Sequence, residues 1–191
     1  MRIIAGDLKG RTIETPAWDG LRPTSDRLRE TLFNVLAPHI RGARVLDGFS
    51  GTGAVGIEAL SRGAASVTFV DSDARAIRLI RDNLGRCGIK DRYAIIRARL
   101  ADAAPRLSPG AFDIIFLDPP YGLHELEAAL AAADGLVGDG TLVVVEHARR
   151  DAPPDAEGTL VRVRALKSGD SALAFYRRRP TSSAVPAPSN R

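Results

Sequence analysis

Phe112-Asp113-Ile114-Ile115-Phe116-Leu117-Asp118-Pro119-Pro120-Tyr121 is an apolar run that stops at a carboxylate, two prolines and an aromatic ring. Ile114 to Leu117 are apolar at every position, so neither face is written for water, and that suits a central parallel strand covered by helices on both sides. The prolines end it. Neither can donate to a ladder, and their fixed φ stiffens the chain after Asp118 while its carbonyls stay open to hydrogen bonds from a ligand. Tyr121 adds a flat face beside those acceptors. A carboxylate, a carbonyl and a ring this close together form a holder for a planar group that carries an NH2.

Upstream, Ala43-Arg44-Val45-Leu46-Asp47-Gly48-Phe49-Ser50-Gly51-Thr52-Gly53-Ala54-Val55-Gly56-Ile57-Glu58-Ala59-Leu60 reads as a strand, a glycine-rich turn and a helix. Gly51 and Gly53 let the backbone turn tightly and come close to a ligand with no Cβ in the way, and the helix behind them presents free N–H groups. Ser66-Val67-Thr68-Phe69-Val70 is the second strand. It ends in Asp71, where a carboxylate can take both hydroxyls of a ribose. Gly51-Thr52-Gly53-Ala54-Val55-Gly56 matches the dinucleotide pattern letter for letter, which raises an NAD-dependent oxidoreductase as one reading. Asp47 argues against it. It stands at the strand tip, separated from the glycines by Gly48-Phe49-Ser50, and a carboxylate beside that turn repels a pyrophosphate and suits an ammonium. S-adenosylmethionine has an amino group, a sulfonium and a ribose but no phosphate. Asp47 would hold its amino-acid end, directly or through water, Asp71 its ribose, with Phe49, Gly51 and Gly53 shaping the turn between them. A turn-forming role is the alternative for Asp47.

The rest of the chain continues the alternation. A helix over 73–86 has Ala76, Ile77, Leu79, Ile80 and Leu84 on one side and Arg75, Arg78, Arg81 and Asp82 on the other. A third strand spans 93–97, and the turn after it, Ala98-Arg99-Leu100-Ala101-Asp102, lies where an adenine ring would be received, with Leu100 as the candidate. Beyond the strand over 112–117 come a helix over 125–133 and a strand over 140–146, with His124 and His147 read as surface or strand-end residues. Residues 160–166 and 171–177 alternate around the link Lys167-Ser168-Gly169-Asp170 and form an antiparallel hairpin that closes the sheet. From 180 to 191 the chain is Pro, Ser and Ala without period, a disordered tail. Such an order gives right-handed crossovers, a mostly parallel sheet with helices on both faces, and ligands at the carboxyl edge of the strands. Asp47, Gly51, Asp71 and Asp118 all fall at that edge.

At the N-terminus, residues 1–20 alternate weakly around Gly6 and Gly10, two short strands joined by Asp7-Leu8-Lys9. This hairpin arm lies outside the main sheet. Arg2, Lys9, Arg11 and Arg22 give it a basic face that can clamp a nucleic-acid backbone, or simply protect an edge by charge. Leu28, Leu32, Phe33, Val35 and Leu36 then recur at helical spacing over 25–37, with Arg27, Arg29 and Glu30 on the other side. Thr24, Asp26 and Arg27 are placed to reach a substrate, and a solvated helix face explains them as simply.

The 191 residues, 45% of them apolar, suffice for one domain with appendages. The start of the chain is too short in apolar residues for a signal peptide, and no stretch approaches the roughly 18 residues of a membrane span, so a cytoplasmic protein is expected. One cysteine, Cys87, excludes an internal disulfide and a cysteine-based zinc cluster; with three scattered histidines, no metal is expected. Cys87 reads as core filler. A net charge of +4 permits a polyanionic partner. The excess of arginine over lysine suits phosphate recognition, and base composition of the genome accounts for it as well.

The tip Asp118-Pro119-Pro120-Tyr121 and the turn Asp47-Gly48-Phe49-Ser50-Gly51-Thr52-Gly53 resemble those of the S-adenosylmethionine-dependent amino methyltransferases of the seven-stranded class. More narrowly, Met1-Arg2-Ile3-Ile4-Ala5-Gly6 with Lys9-Gly10-Arg11, then Arg22-Pro23-Thr24-Ser25-Asp26-Arg27-Leu28-Arg29-Glu30-Thr31-Leu32-Phe33-Asn34, and Glu58-Ala59-Leu60-Ser61-Arg62-Gly63-Ala64, resemble the RsmD family. The resemblance covers residues 1–179. It implies a Rossmann-like seven-stranded class I methyltransferase sheet, an arm over 1–24 that contacts RNA, a methyltransferase domain over 25–179, and methyl transfer to guanine N2 of small-subunit ribosomal RNA, free or in an assembling 30S particle, by a monomer. Asp118, Pro119 and Tyr121 are the implied catalytic residues, Pro120 and Tyr121 flank the base, and Asp118 borders the cofactor. Two positions depart from the family pattern: Gly48 stands where a bulky apolar residue is usual, which would loosen the turn, and Asp71 stands where Glu is common. The same tip serves adenine N6 in DNA or RNA and glutamine amides in protein, and an RNA-binding assembly factor on this fold is the non-enzymatic alternative.

Overall fold

The computed structural model describes residues 1–16, 26–120 and 122–180. Its apolar runs form the middle of an eight-stranded sheet, and its amphipathic runs form the layers over it. In chain order the elements are α1 (Asp26–Ile40), β1 (Arg44–Gly48), α2 (Ala54–Ser61), β2 (Ser66–Asp71), α3 (Ala74–Arg86), β3 (Tyr93–Arg97), α4 (Leu100–Ala103) and β4 (Ile114–Leu117). Then follow α5 (Leu123–Asp134), β5 (Leu142–Ala148), β6 (Ala156–Glu157), β7 (Leu160–Ser168) and β8 (Ser171–Arg178). The sheet order is β3-β2-β1-β4-β5-β8-β7-β6.

β1 has parallel neighbours on both sides, β2 and β4, so the chain winds outward to β3 and then crosses back to begin the other half. That reversal opens a crevice at the carboxyl ends of β1 and β4, where ligands of such sheets gather. β8 runs antiparallel between β5 and β7, as expected of the closing hairpin. Beyond the seven strands expected, the short β6 adds an eighth by pairing with β7.

Two layers cover the sheet. Leu28, Leu32 and Phe33 of α1, Ile57 and Leu60 of α2, and Ile77 and Ile80 of α3 pack on Val45, Ile114, Phe116 and Val144. Leu100 of α4 and Leu126 and Leu130 of α5 pack on Leu46, Ile115, Leu117 and Val145. Successive residues of β4 thus serve opposite layers, the two-residue alternation of a strand buried on both faces. α3 is capped by Asp73, whose carboxylate accepts from the Arg75 amide at 2.7 Å.

The N-terminal arm is a short hairpin, with Arg2 bridged to Thr12 and the amides of Ile3 and Ile13 donating to the carbonyls of Arg11 at 3.0 Å and Met1 at 2.9 Å, and it is tied to α2 as well. The buried Glu58 carboxylate accepts from the amides of Ile4 at 2.8 Å and Ala5 at 3.0 Å, while Ile3 and Ile13 join the core. On α1 the observed burial departs from the helical spacing. Arg29, expected on the solvated side, is fully buried: its Nη2 donates to the Arg2 carbonyl at 2.8 Å and to Asp26 at 2.7 Å, and its Nη1 lies 3.8 Å from Glu58. Arg62 completes the group, 2.8 Å from Glu58 and with its guanidinium 4.7 Å over the Phe33 ring. Burying an arginine is tolerable only because it is paired this way. His147 is also buried rather than on the surface, because its strand lies between β4 and β8; burial lowers its pKa below the ordinary value. Arg22, Thr24, Tyr121 and the tail over 181–191 lie outside the described residues. Among the described residues no helix is long and apolar enough to cross a membrane.

Candidate functional site

Three strand tips build the site. At the tip of β1, Asp47 is buried and its Oδ2 accepts from the Gly56 amide at 2.9 Å. Burial pushes its pKa up to about 8, a rise the Gly56 hydrogen bond opposes and the charge of Asp71 reinforces. Beyond it, Phe49 takes a left-handed φ of 64°, costly for a residue with a Cβ, and its ring forms part of a cavity wall. Ser50 then ties this turn to β2, its Oγ accepting from the Val70 amide at 2.9 Å.

At the tip of β2, Asp71 holds the glycine turn. Its Oδ2 accepts from the Gly51 amide at 2.8 Å and its Oδ1 from the Asp73 amide at 2.9 Å. Each oxygen keeps a second lone pair, as a diol-binding carboxylate requires. The third glycine of the pattern, Gly56, is there for packing, since a Cβ at this position would lie 2.2 Å from the Phe69 ring. The first turn of α2 finds acceptors within the chain, Gly56 on Asp47 and the Ala54 amide on Thr52 Oγ1 at 3.2 Å, so the donors a pyrophosphate needs are engaged. This disfavours the NAD reading.

At the tip of β4, the Asp118 amide reaches the Gly48 carbonyl at 3.4 Å and carries the β1–β4 ladder one step further. Pro119 is buried and Pro120 exposed. Between these tips lies a cavity of about 170 Å³, walled by Phe49, Asp71, Leu100 and Pro120 and closed by Ala128 and Ala129 of α5. Gly48 leaves no hollow behind it, because the Leu117 and Leu100 side chains occupy the space a larger residue would fill. The expected loosening is therefore absent.

Of the residues singled out in the sequence, Phe49, Asp71, Leu100 and Pro120 converge on this cavity, Gly51 and Gly53 shape the turn behind it, and Asp47 and Asp118 sit next to it without forming its wall. Four others lie apart. The turn bearing the exposed Lys9 is bound to Ser61, with the Asp7 amide on its carbonyl at 2.8 Å and the Leu8 amide on its Oγ at 3.0 Å. Ser61 ends α2, about 12 Å along the helix from the glycine turn. The exposed Arg11 donates from one guanidinium nitrogen to the Cys87 carbonyl. Asp26 is taken by Arg29, and Arg27 is exposed on α1.

Sequence reasoning missed the α5 wall, Glu125, Ala128 and Ala129, since a Leu- and Ala-rich helix reads as packing. It also passed over Asn83, which is buried on the apolar face of α3. Its amide donates to the Thr52 carbonyl at 2.9 Å and the Glu14 carbonyl at 3.1 Å, and its oxygen accepts from the Glu14 amide at 2.8 Å. The signal was there: a polar residue at an apolar helical position. Among the described residues no cluster of three His, Cys, Asp or Glu side chains could hold a metal ion.

Known proteins with this pattern converge on one group. A family model described as conserved hypothetical protein 95 matches residues 1–177. YlbH of Bacillus subtilis is 38% identical over 184 residues, spanning 94% of this chain and 100% of that one. The Escherichia coli protein named ribosomal RNA small subunit methyltransferase D is 36% identical over 180 residues, 93% of this chain and 90% of that one. The solved structure of Escherichia coli yhhF superposes with a TM-score of 0.82 at 34% identity, covering 95% of this chain and 99% of the other.

Proposed function

The chain belongs to the family described as conserved hypothetical protein 95, and from that premise we propose that it transfers a methyl group from S-adenosylmethionine to the exocyclic N2 of a guanine in small-subunit ribosomal RNA. One observation carries the site: Pro120 of the Asp-Pro-Pro tip walls the same cavity as Asp71, so the amine holder and the nucleoside pocket are one place. The name of the Escherichia coli relative supports the acceptor.

The residues present fit the cofactor. Phe49, Leu100 and Pro120 offer an apolar slot for adenine, Asp71 has lone pairs for the ribose, and Asp47 lies behind the glycine turn, where a cationic amino group would draw it into its charged form. When bound, S-adenosylmethionine supplies an electrophilic methyl on a sulfonium. The chain's own residues act on the amine. Its lone pair is delocalised into the base, and hydrogen bonds from its two N–H groups to Asp118 and to the Pro119 carbonyl pull the nitrogen toward tetrahedral geometry. As the new N–C bond forms and the methyl's bond to sulfur breaks, with S-adenosylhomocysteine as the leaving group, the nitrogen would shed a proton to Asp118 or to water. Holding the partners in line supplies on the order of 7–11 kcal/mol of the barrier. Tyr121 stacks on the extruded base, worth about 1–3 kcal/mol. Asp26 and Arg27 at the start of α1, together with Arg22 and Thr24, would contact the RNA, whether free or in an assembling 30S particle, and the protein would act as a monomer in the cytoplasm.

The test is methyl transfer from labelled S-adenosylmethionine to small ribosomal subunits, extracted RNA, DNA and total protein in parallel, with nucleoside analysis of the product. N2-methylguanosine in small-subunit RNA is the expected result. N6-methyladenine or labelled protein would keep the chemistry and overturn the substrate, and no label anywhere would favour an RNA-binding assembly factor.

A further inference from the structure

β4 and β5 run parallel with Leu117 abreast of Val145, so one step further the same register brings Asp118 beside Glu146 at the carboxyl edge. Alternation places both on one face. Phe116 and Val144 belong to the layer under α1, Leu117 and Val145 to the layer under α5, and the next residue of each strand returns to the α1 side. Adjacent strands lie about 4.8 Å apart, so two carboxylates stand together where the amine is to be held. Asp118 is half-buried; Glu146 is only 8% exposed and ends a run of apolar neighbours, Leu142-Val143-Val144-Val145. A carboxylate is costly to bury in such company unless polar partners meet it, so Glu146 marks a polar place at the end of an apolar strand.

Building on the proposed transfer to guanine, we propose that Glu146 is its specificity determinant, accepting the N1–H of the target base while Asp118 and the Pro119 carbonyl accept from N2. The guanine edge presents N1–H and N2–H2 as adjacent donors, and a row of acceptors matches them. Adenine presents a lone pair at N1, which the Glu146 carboxylate repels. Glu146 has a partner within the protein, and an ionised carboxylate has about four lone-pair sites, so capacity for the base remains. A site built to hydrogen-bond a substrate N–H rejects an analogue that lacks it far more strongly than an apolar pocket can.

The experiment compares small subunits reconstituted with guanine or with 2-aminopurine at the position identified by nucleoside mapping. Both bases carry the N2 amine, and 2-aminopurine has a lone pair at N1 in place of the proton. Wild-type protein should favour guanine in kcat/KM by on the order of tenfold or more. Glu146→Gln, whose amide can donate to that lone pair, should narrow the preference at least about tenfold. The ratio is taken within one preparation, so partial misfolding of the variant cancels. An unchanged ratio in Glu146→Gln overturns the assignment of Glu146 and leaves the methyl transfer standing; wild-type label that never reaches guanine overturns the proposed function and this inference with it.

Discussion

Asp47→Asn removes an ionisable group behind the glycine turn and keeps its shape, since an amide oxygen can still accept from Gly56. In the folded chain burial holds the Asp47 pKa near 8, against an ordinary 3.8 for the unfolded chain. Between those values the folded protein retains a proton that the unfolded chain has released. Stability from this group is therefore fully present below about pH 4 and is lost as pH rises through 8, by ~1.4 kcal/mol for each pH unit within the window. Asparagine never ionises and has no such slope. The stability of the variant minus that of the wild type should grow by ~3 kcal/mol between pH 5 and pH 7.5, a subtraction that cancels every other titrating group. Urea denaturation at four pH values reads it directly, and calorimetry on the same samples should show weaker binding of S-adenosylmethionine by the variant. A difference that stays flat with pH would mean that Asp47 is ionised in the folded protein and that the burial argument is wrong.

Asp118→Ala should abolish methyl transfer while cofactor binding persists in calorimetry; retained turnover would remove Asp118 from the chemistry. Asp71→Ala should chiefly weaken cofactor binding, by tenfold or more, because it removes the ribose acceptor and frees the Gly51 amide at once, about 1.4 kcal/mol or above; an affinity equal to wild type would place the ribose elsewhere. Glu58→Ala strands the buried Arg29 and two arm amides, and should cost ~3–5 kcal/mol in chemical denaturation. A loss below ~1 kcal/mol would show that water or rearrangement satisfies them.

Ile114 to Leu117 were legible because burial on both faces permits nothing but apolar residues, and the place of Asp71 at the cavity was legible because the second strand ends there beside the glycine turn. The end of β4 at Leu117 was legible because two prolines cannot continue a ladder. Arg29 was not. Its spacing from Leu28 and Leu32 allows either side of the helix, and the partner that makes burial tolerable, Glu58, is twenty-nine positions away on an element whose docking no local pattern reveals. The partner of Arg11 was not legible either. Arg11 has the charge of a phosphate contact, yet its bond to the Cys87 carbonyl depends on where α3 ends in space. The α5 wall, Glu125 with Ala128 and Ala129, was invisible because a Leu- and Ala-rich helix reads as packing and its charge as a solvated face.

The partners of the N-terminal arm bear on how the chain assembles. Glu58, Ser61, Asn83 and Cys87, which receive it, all precede residue 90, whereas the strands that flank the amine holder and complete the sheet, β4, β5 and β8, come afterwards. During synthesis at roughly 5–20 residues per second, the first half of the chain can close its buried carboxylate and tie down its own beginning seconds before the Asp-Pro-Pro tip is made. The hairpin arm is thus fastened entirely to the first half of the chain.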